Sequence, residues 1–280
     1  MLELKNVSVT YDPGTIFTTH ALKNISLTIH KNESIGIVGR IGSGKSTLIQ
    51  LFNGLIKPDK GSVLLDGIDI NGRGTDLQKV RKKVGLVFQY PEEQFFAETV
   101  FDEVAFGPKN MGIKGDKLKK SVYSALSDMG FSPEQIERRS PFSLSGGEKR
   151  RVAVASIIAM NPEILVLDEP TAGMDFRGKE RLLNYIRNEM KHGRTIVFVT
   201  HNMDELLEVA DRVIALKNGE KIFDGAIEAF FSEEGVAAAT GVDIPTVARL
   251  YSMLRKRFPD FPFSRTPLEL AMHIKERFEH

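Results

Sequence analysis

The chain has no cysteine among its 280 residues, which removes disulfide scaffolds, thiolate metal sites and cysteine nucleophiles at once. That lack also suits a reducing compartment. An excess of charge is missing too: 38 Lys and Arg stand against 37 Asp and Glu, a formal net charge of +1. Dedicated nucleic-acid binders usually carry a basic excess, so the balance argues against one, although a local stripe can hide inside a neutral total. Long apolar runs are absent. No stretch free of Asp, Glu, Lys and Arg exceeds eleven residues, whereas a membrane-spanning helix needs about 20. Met1 to Lys5 mixes charged and apolar residues and lacks the apolar run of a signal peptide. The expectation is a soluble protein that borrows any membrane role from partner chains. What is present, 41% hydrophobic and 27% charged residues, is the composition of an ordinary folded globule.

Strand-like alternation begins at once with Leu2, Leu4, Val7 and Val9, then Leu22, Ile25, Leu27 and Ile29. Compact apolar runs at Ser34–Gly39, Val84–Phe88, Ile164–Leu167 and Thr195–Val199 predict buried strands, each bounded by polar or Gly/Pro punctuation. Residues 91–161 change texture. Val122, Ala125, Leu126 and Met129 fall at helical spacing, and Pro108, Gly112, Gly115, Gly130 and Pro133 are expected to cut this insert into short helices. Strands should end near Gly225. Beyond it, Val247, Leu250, Tyr251, Leu254 and Phe258 predict an amphipathic helix. Thr266-Pro267-Leu268-Glu269 predicts a capping box opening a last helix through Ala271, Ile274 and Phe278. The division expected is an α/β unit over 1–225, with the helical insert inside it, and a folded helical extension over 226–280.

Gly39-Arg40-Ile41-Gly42-Ser43-Gly44-Lys45-Ser46 fits the phosphate-loop pattern G-x-x-x-x-G-K-[ST]. Its chemistry dictates its composition. Backbone N–H groups must approach phosphate oxygens closely, so side chains there are small, and the helix beginning near Thr47 aims its positive end at the anion. Lys45 would reach the β- and γ-phosphates, and the Ser46 hydroxyl would hold Mg²⁺. The loop alone leaves kinases, GTPases, helicases and motors open.

Ile164–Leu167 runs into Asp168 and Glu169, an apolar strand tipped by two carboxylates. Asp168 suits the Mg²⁺ shell, and Glu169 could orient or deprotonate an attacking water. Leu144-Ser145-Gly146-Gly147-Glu148 opens a further helix, a second anion site made of N–H groups and helix dipole. One nucleotide does not need both phosphate devices from one chain. A site shared between two subunits follows.

With these residues in order, the chain resembles the nucleotide-binding subunit of ATP-binding cassette (ABC) proteins. Gln89 matches the glutamine loop, Leu144–Glu148 the signature, Ala172-Gly173-Met174-Asp175 the aspartate loop and His201 the histidine motif. Tyr11 sits where the family places an aromatic that stacks on adenine. By themselves His201 and Tyr11 look like surface or packing residues; their ordered company gives them a role. The resemblance implies a P-loop NTPase of ABC type: a RecA-like mixed sheet core, an antiparallel β subdomain and a helical subdomain. It implies an ATP held by Tyr11, Gly39, Arg40, Gly42, Ser43, Gly44, Lys45, Ser46 and Thr47, with Mg²⁺ held by Ser46, Gln89 and, through water, Asp168. It implies Glu169, His201, Gln89 and Lys45 as the catalytic set. Ser145, Gly146, Gly147 and Asp175 would come from the second cassette of a head-to-tail dimer. Glu148 departs from the family's usual glutamine; the expectation is a tolerated change with its side chain turned away from the phosphate. Met174 and Phe176 are milder departures.

Three classes follow from the resemblance: a transport ATPase, a cassette ATPase working on nucleic acid or ribosomes, and a non-hydrolysing scaffold. Gln89 and Leu144 lie only 55 residues apart, too close for the long coiled coils of chromosome-type members, and only one cassette is present. A dead scaffold would be expected to lose Glu169 or His201. The cluster Lys79, Arg81, Lys82, Lys83 fits a solvated face. Gln89–Phe96 and Thr99–Pro108 resemble the energy-coupling factor (ECF) transporter ATPases and the related cobalt and nickel importers. That implies a translocating ATPase at the cytoplasmic face of a membrane. Its partners would be a second ATPase, a transmembrane coupling subunit and a separate substrate-binding membrane subunit, with no nucleic acid. Phe95 and Phe96 would grip an apolar coupling helix or sit in the local core, and Glu92, Glu93 or Asp102 would pair an arginine on that helix. A soluble ABC ATPase or a non-ECF transporter ATPase is the alternative.

Overall fold

A computed structural model describes residues 1–232 and 235–278; residues 233, 234, 279 and 280 of the expected extension lie outside the described residues. The first elements are β1 (Leu2–Tyr11), β2 (Thr19–Ile29), β3 (Ser34–Val38), α1 (Lys45–Phe52), β4 (Lys60–Leu65), β5 (Ile68–Asp69), α2 (Leu77–Lys83) and β6 (Val84–Val87). A 3₁₀ turn at Pro91–Gln94 leads into α3 (Val100–Asn110), α4 (Gly115–Asp128), α5 (Pro133–Ile136) and, past a second 3₁₀ turn, α6 (Gly146–Ile158). The chain returns through β7 (Ile164–Asp168), α7 (Phe176–Lys191), β8 (Thr195–Val199), α8 (Met203–Val209), β9 (Arg212–Lys217) and β10 (Glu220–Ala226). Helices α9 (Ile227–Ser232), α10 (Val236–Thr240), α11 (Thr246–Arg257) and α12 (Pro267–Phe278) follow.

Two sheets result. One is antiparallel, in the order β2-β1-β4-β5; the other is mixed, β10-β9-β3-β8-β7-β6, parallel from β9 through β6 with β10 antiparallel at its edge. Period-two side-chain alternation divides the core between the faces of the mixed sheet. Ile164, Val166, Val197 and Val199 pack toward the antiparallel sheet and α1, whereas Leu165, Leu167, Ile196 and Phe198 pack with residues of α3, α4, α6 and α7. A mixed α/β core, an antiparallel β sheet, a helical segment and terminal helices make up the architecture that the resemblance implies.

Three local expectations need correction. Pro108 does not end α3 but lies inside it, in its last turn. The preceding residue is Gly107, which has no Cβ to clash with the proline ring, and a Cβ there would sit 2.6 Å from Met160 Sδ. The capping box at Thr266 is only half formed. Thr266 Oγ1 accepts from the Glu269 N–H, but the Glu269 carboxylate accepts from the N–H of Arg265, one residue earlier. The last helix forms as expected, as α12; Leu270 makes its core contact with Val247, Tyr251 and Phe261, while Ile274 and Phe278 are exposed. On α11, Leu250 is likewise exposed while Val247 and Tyr251 are buried.

Candidate functional site

Strand order assembles the site. β3, β8, β7 and β6 are adjacent and parallel, and their C-terminal ends release, in that order, the phosphate loop, His201, Asp168–Glu169 and Gln89. Ligands of open α/β sheets bind at this edge.

The phosphate loop turns from β3 into α1 through glycines with left-handed φ. Gly39 has φ +147°, and a Cβ on it would lie 2.3 Å from the Leu216 carbonyl oxygen; Gly44 has φ +104° and comes as close to Ala21 O, at 2.5 Å. Any side chain at either position would push the loop off β9 or β2. Inside the loop the Lys45 ammonium donates to the carbonyls of Gly39 (2.7 Å) and Arg40 (3.1 Å). Burial lowers the Lys45 pKa, and Glu169 and Asp168 oppose that fall. Ser43 Oγ is buried without a partner, an orphaned polar group in a loop built for anions. Gly42 and Arg40 are exposed. Tyr11, at the end of β1, shares a hydrogen bond with Thr47 Oγ1 (3.3 Å) and keeps its ring exposed beside α1.

Asp168 and Glu169 differ in surroundings. Burial and the neighbouring Glu169 charge push the Asp168 carboxyl up to about 6, against the pull of Lys45 and of the Ser46 hydroxyl. Ser46 Oγ donates to Asp168 Oδ2 at 3.4 Å. This buried anion beside a hydroxyl is short of positive charge. Hard oxygen donors of that kind fit Mg²⁺, which binds through few carboxylates together with substrate phosphates. Glu169 has a left-handed backbone (φ +48°), and its N–H donates to Val199 O at 2.9 Å. Its Oε2 lies 2.8 Å from His201 Nδ1, so the two side chains expected to act on the γ-phosphate pair with each other. The imidazole is otherwise open to solvent.

Gln89 follows β6 by two residues, is exposed and makes no hydrogen bond among the described residues. Ser145 caps α6, and Gly146 and Gly147 form its first turn. Glu148 closes the capping box of α6 on Ser145. Its carboxylate accepts from the Ser145 N–H (2.9 Å) and hydroxyl (2.8 Å), which pulls its pKa down. Asp175 caps α7 by accepting from the Gly178 N–H at 2.8 Å. No hydrogen bond or ion pair among the described residues joins 144–148 to 39–47, so the two phosphate devices stay apart within one chain.

Beside Gln89 a groove of about 620 Å³ opens between α2–β6 and α3–α6. Phe96 and Phe106, both exposed and edge-to-face at 4.7 Å, form its apolar wall. Phe95 also lines it but packs into the helical core. The three candidate acids are not equivalent. Glu92 is spent on Arg150, Asp102 on Lys109 and Thr99, and only Glu93 is exposed without a partner. Sequence reasoning missed Arg150 and Glu205, which is 3% exposed on α8. The available signal for Glu205 was an acid set among the apolar positions Met203, Leu206 and Leu207.

Comparison with known proteins gives one consistent result. The family model described as ABC transporter matches residues 22–172. An energy-coupling factor transporter ATP-binding protein EcfA2 of Caldanaerobacter subterraneus subsp. tengcongensis is 45% identical over 93% of this chain and 91% of its own. The protein of the same name from Symbiobacterium thermophilum is 47% identical over 90% and 87%. Among solved structures, cbiO1 of Clostridium perfringens, described as part of the ABC transporter complex cbiONQ, matches with a TM-score of 0.72 and 36% identity, over 89% of this chain and 97% of that one. An ATP-binding cassette solved as a dimer in a post-hydrolysis state with ADP and Pi matches at 0.74 and 32%, over 81% and 99%.

Proposed function

The chain belongs to the ABC transporter family, and from that premise we propose that it is the ATP-hydrolysing subunit that energises an ECF-type importer. One observation carries the reading: four neighbouring strand ends bring together the phosphate loop, the Glu169–His201 pair at 2.8 Å, Asp168 and Gln89. ATP is the substrate. The N–H groups of residues 39–47 and the Lys45 ammonium receive its phosphates, and the open ring of Tyr11 stacks on adenine. Ser46 and Asp168, the latter through water, would hold Mg²⁺ with Gln89; bound there, it would supply charge neutralisation at the phosphate oxygens. Glu169 orients a water and takes its proton as the water oxygen bonds to the γ-phosphorus. The bond to the β,γ-bridging oxygen breaks, leaving ADP and phosphate. His201 holds the γ-phosphate from its exposed position.

Ser145, Gly146, Gly147 and Asp175 act on the nucleotide of a second cassette subunit, identical or homologous. Exposed Ile41, Phe142 and Phe176, each beside one of the motifs, support a covering partner. Residues 1–225 form the cassette, and 226–280 an extension that strengthens pairing through exposed Leu250, Met253, Leu268 and Met272. No helix among the described residues is long and apolar enough to cross a membrane. On the transport reading the chain works at the cytoplasmic face on a transmembrane coupling subunit seated in the groove of Phe96 and Phe106. A separate membrane subunit selects the vitamin or transition-metal ion, and nucleic acid has no part. The test is purification with the membrane proteins encoded beside it. The coupling subunit should co-elute, and Glu93→Ala with Phe96→Ala should weaken that while sparing nucleotide binding. If no membrane protein co-elutes with the unaltered chain, the transport reading fails.

A further inference from the structure

We propose that Glu205 is a positioning residue that sets the Glu169–His201 pair by tying together the two loops that carry it. This rests on the hydrolytic reading above. Glu205 sits on α8 with its side chain 4% exposed, and a carboxylate so buried is costly unless every lone pair is used. Its two oxygens are divided between the two loops. Oε2 accepts from the Thr171 hydroxyl at 2.7 Å, in the loop after β7; Oε1 accepts from Asn202 Nδ2 at 3.0 Å, in the loop after β8. Lys179 on α7 completes the set at 2.7 Å from Oε1.

Both loop contacts lie next to a catalytic side chain. Only Pro170 separates Thr171 from Glu169, and Asn202 follows His201 directly. Glu169 needs such support. A left-handed backbone at a residue with a Cβ is strained and persists only where its surroundings over-determine it. The exit of that turn is closed by Ala172 N–H to Glu169 O (3.2 Å) and Met174 N–H to Thr171 O (3.1 Å), and Thr171 is the residue that Glu205 grips. The entrance to the other loop is fixed by the Asn202 N–H on Thr200 Oγ1 (3.0 Å), and Asn202 Oδ1 in turn caps α8. His201 itself has an exposed ring, so its place is set by these neighbours. α8 is a firm base because Leu206 and Leu207 are fully buried with Val38 and Ala210.

A plain ion pair with Lys179 would give a different pattern from a tie between loops. In steady-state ATP hydrolysis by the full-length chain, Glu205→Gln should lower kcat by about tenfold to a hundredfold, the scale of a misplacement near 1 Å. KM and the affinity for a fluorescent ATP analogue should stay within about twofold, because the phosphate loop is untouched. Thr171→Val should do the same, and Thr171→Ser, which keeps the hydroxyl, should restore turnover. Lys179→Met should retain kcat within about twofold whatever it does to Tm. Should Glu205→Gln fail to fold, the Thr171 pair carries the test. The inference is overturned if Glu205→Gln or Thr171→Val keeps the unaltered kcat, or if Lys179→Met loses as much as Glu205→Gln. Glu169→Gln runs alongside: normal turnover there sinks the hydrolytic reading itself, whereas an inactive Glu169→Gln beside an active Glu205→Gln sinks only the positioning role.

Discussion

Alanine at Glu92 should destabilise the protein far more than alanine at its neighbour Glu93. Arg150 lies on α6, five residues after Ser145, with its side chain 3% exposed. Its Nε and Nη2 donate to the two Glu92 oxygens at 3.2 and 3.1 Å, the Tyr90 ring covers it at 5.0 Å, and Nη1 is buried without a partner. Removing the carboxylate strands a buried cation. Breaking a buried pair from one side costs about 3–5 kcal/mol. Glu92 is 20% exposed, so water reaches part of the site and the lower figure applies. With about 2 °C per kcal/mol for a chain of this size, Tm should fall by about 6 °C. Arg150→Met alone should cost less, because the freed Glu92 can turn to water. The double variant Glu92→Ala/Arg150→Met should be more stable than Glu92→Ala, since no charge is stranded. Glu93→Ala should stay within about 0.5 kcal/mol of the unaltered chain. Thermal and urea unfolding followed by circular dichroism measure all four. Equal Tm values for Glu92→Ala and Glu93→Ala, or a double variant no better than Glu92→Ala, would refute the reasoning.

Two more outcomes can be checked, by the same unfolding measurements and by ATP-hydrolysis kinetics. Asp168 has a folded pKa of about 6, above the roughly 3.9 of an unfolded aspartate. Ionising it therefore costs stability progressively as pH rises from about 4 to about 6, and the cost is constant above. Asp168→Asn should accordingly raise the Tm of the nucleotide-free protein at pH 7.5, with the gain shrinking to nothing near pH 4; a gain that grows on acidification would contradict the assigned cause. Gly241 has φ +68°, and a Cβ there would sit 1.9 Å from Arg40 Nε on the phosphate loop. Gly241→Ala should cost about 1–2 kcal/mol and raise KM for ATP by displacing Arg40; an unchanged KM would separate the extension from the loop.

The parts of the site that were legible in the sequence are those whose chemistry is written in adjacent residues. Gly39–Ser46 and Ile164–Glu169 each lie at or beside a strand end that carries a turn and the reacting groups within a few positions, and unbroken apolar runs placed those strands in the core. Parallel pairing then aligned the strand ends without further information. What stayed hidden joins distant residues with no local period: Glu92 with Arg150, Thr171 with Glu205, Arg40 with Gly241. A carboxylate in a polar stretch looks solvated until its partner is known, so Glu92 and Asp102 seemed as free as Glu93. Helical spacing also misplaced Leu250 on α11. Amphipathicity tells that one side faces the protein, but the strip in contact, at Val247 and Tyr251, is narrower than the apolar face.

The central claim is that Glu169 takes the proton from the attacking water. Its most direct test is steady-state ATP hydrolysis by Glu169→Gln, with nucleotide retention and dimer mass followed by light scattering. Turnover should fall by about a hundredfold or more, with ATP retained in a closed dimer. Near-normal hydrolysis by that variant would contradict the account.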